Sequence, residues 1–219
     1  MGVPNVYRKS SAAIATYSYT DIAAATGIQI YYLAKTVDLT VLTPNAIYSN
    51  TVMTSSTQNY TDGTFKLLHD VDFDITFNLA QTTRGTAIVN IPIGILGVTA
   101  VKTYSAYVIL KARHWDGSTE TDLASNQSDT IQFTTSGVNE YKYAMFAVDL
   151  DLTTPKLFKK GDTLRLTVEY YAKNHNAASQ GEFFFGHDPK NRATTDQDDE
   201  TFGDEPSIAE FHVPFKIDI

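Results

Sequence analysis

Apolar residues recur at every second position in several stretches of this chain. In "DVDFDITFNLA", Val71, Phe73, Ile75, Phe77 and Leu79 fall on one face and Asp70, Asp72, Asp74, Thr76 and Asn78 on the other. In "GDTLRLTVEYY", Leu164, Leu166, Val168 and Tyr170 alternate with Arg165, Thr167, Glu169 and Tyr171. Near the C-terminus, Phe211, Val213, Phe215 and Ile217 alternate with Glu210, His212, Pro214 and Lys216. A period of two is that of a half-buried strand. Pro214 has no N–H to give a ladder, which predicts an edge strand or an outward-facing position there.

Further strands are predicted over 15–20, 27–35, 37–42, 50–54, 86–92, 98–113, 129–135, 140–150 and 181–186. The segment 98–113 is apolar on both faces around Tyr107 and Ile109. Turns separate them. "HWDGSTE" centres on Asp116-Gly117, and "LFKKGD" carries Gly161 and Asp162. Helical signals are poor; the best is "YTDIAAAT", where Thr20 or Asp21 would cap a short turn before Gly27. Ten or more short strands with almost no helix predict an all-β chain: a single-domain β-sandwich over 15–219, most plausibly a jelly roll, with 1–14 as an N-terminal arm.

Composition supports this and narrows the function. The 219 residues suffice for a core, and 13 Tyr and 12 Phe suit strands. A net charge of −8 and a pI near 5.0 argue against nucleic-acid binding. With no cysteine, disulfides, thiolate catalysis and cysteine-held metals are excluded. Tyr17, Ser18 and Tyr19 interrupt any signal-peptide core, and no apolar run is long enough for a membrane span.

Candidate chemistry is sparse. Six of the ten residues from Asp196 to Glu205 are acidic, and Asp196, Asp198 and Glu200 have the first spacings of a calcium loop. The sixth position is Thr201 rather than glycine and the twelfth Ser207 rather than glutamate, so a solvated loop is the simpler reading. His187-Asp188 has the residue types of a catalytic dyad, but there is no G-x-S-x-G to supply a nucleophile. His69, His114, His175 and His212 show no metal spacing and read as sheet or loop residues. The run Asp70, Asp72, Asp74 reads as the wet side of a strand, although paired carboxylates also serve glycoside hydrolysis. Trp115, beside Asp116, is a candidate platform for stacking a sugar. The sequons at Asn59 and Asn126 read as chance. No catalytic, cofactor or metal residue is therefore assigned.

Three stretches together, "YSYTDIAAATGIQIYYLAKT", "VDFDITFNLAQTTRGTAIVNIPIG" and "FFFGHDPKNRATTDQDDE" with the terminal "FHVPFKIDI", resemble virion structural proteins of tailed bacteriophages. "LFKKGDTLRLTVEYY" is similar to a jelly-roll strand of capsid decoration and fibre proteins. The resemblance implies a non-enzymatic role in capsid decoration, a head fibre or a tail, in a virion assembled in the host cytoplasm. It implies other virion proteins as partners, and a homo-oligomer, such as a trimer, fits it. The alternatives are a carbohydrate-binding or receptor-binding module and, behind it, a glycan hydrolase.

Overall fold

The computed structural model describes residues 27–35, 39–44, 58–61, 63–98, 102–176, 180–186 and 209–216. Twelve strands are described: β1 (Ile28–Lys35), β2 (Thr40–Thr43), β3 (Gln58–Tyr60), β4 (Lys66–Thr76), β5 (Gln81–Gly97), β6 (Lys102–Trp115), β7 (Glu120–Gln127), β8 (Ile131–Thr135), β9 (Glu140–Phe158), β10 (Thr163–Asn174), β11 (Gly181–Phe185) and β12 (Glu210–Pro214). No helix occurs among the described residues.

They are hydrogen-bonded in the order β3-β11-β5-β12-β1-β2-β4-β10-β6-β7, with β9 on the other edge of β5 and β8 on β6. One parallel pair, Val41 with Asp74, joins β2 to β4; every other strand pairing is antiparallel. β2 thus divides the sheet into two halves that face each other as a β-sandwich.

The two inward faces form one core. Ala87, Val89, Ile91, Ile93 and Ile95 of β5 are fully buried, as are Leu164, Leu166, Val168 and Tyr170 of β10. Rings lock the halves together: Phe77 meets Phe215 edge-on at 5.8 Å, and Phe183 meets Tyr104 at 5.8 Å and Tyr170 at 6.5 Å. Stacking the halves buries the alternate residues of both, and this apolar burial drives the fold.

Both predicted turns form. Gly161 and Gly117 sit at φ of 94° and 95°, where a Cβ would be strained. Asp116 Oδ1 accepts from the N–H groups of Ser118 and Thr119 and from the Ser118 hydroxyl. Those bonds hold its carboxyl down at about 2.

The structure also corrects the sequence reading. Leu79 does not continue the buried face of β4; the strand ends at Thr76 and Leu79 lies 66% exposed in the turn before β5. β5 and β9 run far beyond their expected ends, and Pro92 lies inside β5, opposite Met145. β12 is not an edge strand: it pairs with both β5 and β1, and Pro214 is its last residue, on the outward parity. β7 was not foreseen because "ETDLASNQ" is exposed along nearly its whole length and has no alternation to reveal it. The arm 1–14, the strands over 15–20 and 50–54, the turn at 19–26, Ile217, the pair His187-Asp188 and the acidic residues Asp196, Asp198 and Glu200 lie outside the described residues.

Candidate functional site: the outward face of β4, β10, β6 and β7

Alternation that buries one face of these strands turns the other outward, where Thr167 and Glu169 are nonetheless buried among their neighbours. Register aligns the outward residues in rows. Asp74, Arg165, Arg113 and Asp122 form one row, and Asp72, Thr167, Lys111 and Ser125 the next. Asp70, Glu169, Ile109 and Gln127 follow, and then Leu67, Tyr171 and Tyr107.

A β-bulge makes the last row apolar. Between Tyr170 and Tyr171 the partner on β4 jumps from His69 to Leu67, so Leu68 is the extra residue. The phase of β4 reverses there, a known effect of a bulge. Beyond it the odd positions face outward, leaving Leu67 38% and Phe65 40% exposed. The Tyr107 and Tyr171 rings stack at 5.0 Å and 9°, and Phe65 leans on Tyr107 at 5.0 Å and 57°. The Lys173 ammonium lies 5.7 Å from the Phe65 ring.

Beside the rings the polar groups are tied in a network. Arg165 takes Asp74 with two parallel bonds, Nε to Oδ1 at 2.7 Å and Nη2 to Oδ2 at 2.8 Å, and its Nη1 reaches Glu120 Oε1 at 2.9 Å. Asp72 Oδ2 lies 3.4 Å from the same Nη1 and Asp72 Oδ1 accepts from the Thr167 hydroxyl. Arg113 lies between Glu120 and Asp122, at 3.2 and 2.9 Å. Lys111 pairs with Glu169, whose other oxygen accepts from Tyr171 at 3.4 Å. Burial, with the Glu169 charge next, raises the Tyr171 pKa. Partly exposed ion pairs add little stability individually. What they add here is orientation: donors and acceptors are held in place beside an aromatic surface.

Trp115, the candidate sugar platform, ends β6 on this same face, half-buried, with Arg113 two residues before it. Its cross-strand neighbour on β7 is Glu120. Asp72 and Asp74, read as a wet strand face, are ion-paired, while Asp70 stands directly opposite Glu169. Sequence reasoning missed Phe65, Tyr107, Tyr171, Lys111 and Glu169 as a group. The adjacent Leu67-Leu68 pair, a break in alternation, is the signal that would have pointed to the bulge.

The histidines have definite partners. His69 is buried, stacks on Tyr170 at 5.9 Å and 8°, and its Nε2–H donates to the Phe183 carbonyl at 3.0 Å. Burial lowers its pKa and keeps the ring neutral. His114 Nε2 lies 2.7 Å from Asp162 Oδ2, which also accepts Lys159 N–H at 2.9 Å. The His114 hydrogen bond, then the Lys159 one, lowers the Asp162 pKa. His212 meets Glu210 at 2.9 Å. Ser105 Oγ lies 2.8 Å from His175 Nε2, the separation of a nucleophile and its base. Ser105, however, is buried mid-strand between β8 and β10, where the ladder uses the neighbouring N–H groups, and among the described residues no carboxylate orients His175. That pair ties the end of β10 to β6. No group of three metal-ligating side chains comes together among the described residues.

No family model and no curated protein matches the chain. Solved structures that resemble it include two of a CocE/NonD family hydrolase from Staphylococcus aureus. They are 12% and 13% identical, with TM-scores of 0.49 and 0.45, and each match covers 86% of this chain and 36% of the hydrolase. The particle of infectious bursal disease virus, Gx strain, matches at 9% identity and a TM-score of 0.28, over 83% of this chain and 41% of that one. The expected role as a non-enzymatic virion structural protein is overturned by this order, in which a hydrolase stands well ahead of the viral particle. At these TM-scores and identities neither likeness assigns an activity to this chain.

Proposed function

We propose that the chain is a glycan-binding module whose ligand lies on the outward face of β4, β10, β6 and β7. The observation that carries this reading is the open Tyr107–Tyr171–Phe65 cluster set directly beside fixed, charged hydrogen-bonding groups. A sugar ring offers an apolar C–H face and a rim of hydroxyls. The first packs on an aromatic ring, and the second bonds best to carboxylates and guanidinium groups already held in position. The excess of carboxylates over cations in this network speaks against an anionic polymer as ligand.

A glycan-array screen followed by titration calorimetry tests the proposal. Tyr171→Ala and Tyr107→Ala are expected to weaken binding about tenfold each, the equivalent of about 1.4 kcal/mol. Both side chains face outward, so both variants are expected to keep the fold. Absence of binding to every glycan, or undiminished binding by both variants, rejects it.

A further inference from the structure

Trp115 and Tyr107, one ring of the tyrosine pair, lie on one face of one strand, and from that we infer that the site takes an extended, uncharged glycan chain running along β6. The inference rests on the glycan-binding reading above and deepens it. Tyr107 and Trp115 are eight positions apart on β6, both on the outward parity, which at strand rise places them about 27 Å apart. The β6–β7 turn is held by the Asp116 bonds, which set Trp115 at the end of a rigid ladder rather than on a loose loop. A small sugar covers one anchor only; a chain reaches both. Between the anchors lie the Lys111–Glu169 pair and the Arg165–Asp74 and Arg113–Asp122 pairs, alternate donors and acceptors for hydroxyls along the way.

The charge state of the chain follows from those same pairs. Arg165 is held by Asp74, Asp72 and Glu120, Arg113 by Glu120 and Asp122, and Lys111 by Glu169. Each of these three cations is already neutralised, and even with Lys173 over the Phe65 ring counted, the five carboxylates outnumber the cations. An acidic sugar would have to displace a carboxylate from one of these pairs, whereas neutral hydroxyls bond to the pairs as they stand.

The test uses the whole chain and calorimetry with disaccharides and hexasaccharides of β-1,4-linked glucose, N-acetylglucosamine and galactose, and a galacturonic acid hexamer as the acidic probe. At least one neutral hexasaccharide is expected to bind ten or more times tighter than its disaccharide, and tighter than the acidic hexamer. Trp115→Ala is expected to bring hexasaccharide affinity down towards that of the disaccharide, a larger loss for the long chain than for the short one, and Trp115→Tyr to restore part of it. Affinity independent of length, or equal loss for short and long chains in Trp115→Ala, overturns the extended site while the glycan reading survives. Tighter binding of the acidic hexamer overturns the uncharged assignment. Failure of every neutral probe and of the acidic one overturns the glycan reading and this inference with it.

Discussion

Tyr170→Phe is expected to make the protein more stable. The Tyr170 side chain is fully buried in the sandwich, and its hydroxyl has no hydrogen-bond partner among the described residues. Burial without a partner pushes its pKa far up, so the phenol stays protonated and simply carries a desolvated O–H. A hydroxyl taken out of water without compensation costs about 1–3 kcal/mol on protein scales. Phenylalanine keeps the ring stacked on His69 and edge-on to Phe183, and gives up one oxygen's worth of packing. The net expectation is a gain of about 1–2 kcal/mol. For a chain of this length each kcal/mol moves the melting point by roughly 2–4 °C. Tyr60 supplies the control within the same cluster. Its ring also packs edge-on to Phe183, at 6.5 Å, but its hydroxyl donates to the Thr64 carbonyl at 2.6 Å. Tyr60→Phe is therefore expected to lose about 1 kcal/mol. Urea unfolding read by fluorescence gives both values, with an unchanged slope showing that only stability moved. The reasoning is refuted if Tyr170→Phe lowers the urea midpoint, or if the two substitutions shift it in the same direction by similar amounts.

Three other expectations follow from the core and the surface. Phe73→Asp sets a carboxyl at a fully buried position and is expected to cost upward of about 4 kcal/mol, seen as loss of cooperative unfolding in circular dichroism; an unchanged midpoint would disprove the inward face of β4. His69 is held neutral with a lowered pKa, so below its unfolded value the unfolded chain binds the extra proton and stability falls as pH drops through about 6.5. Melting points at pH 7.5 and 5.5 should differ in the parent and differ less in His69→Gln, and an equal difference in both would remove His69 as the cause. Self-association is expected through the opposite outward face, where Ile28, Ile88 and Met145 are about half exposed; light scattering that shows a monomer at every concentration speaks against it.

Strand type and the inward residues were legible because alternation is a local signal: Leu164, Leu166, Val168 and Tyr170 are buried where the period of two puts them. So were the turns at Asp116-Gly117 and Gly161, whose positive φ only glycine adopts without strain. The candidate site was not legible as a whole. Trp115 stands out in the sequence, but Phe65 and Leu67 are on the wrong phase for it until the bulge at Leu68 turns them outward. Likewise Arg165 meets Asp74 from 91 residues away, and Lys111 meets Glu169 from 58. Alternation along one strand says which side a residue faces and nothing about which strand lies next to it. Neighbours are chosen by the packing of two apolar faces around Phe183 and Phe77, a property of the whole chain, and only that packing decides that rings and charges from β4, β6, β7 and β10 share one surface.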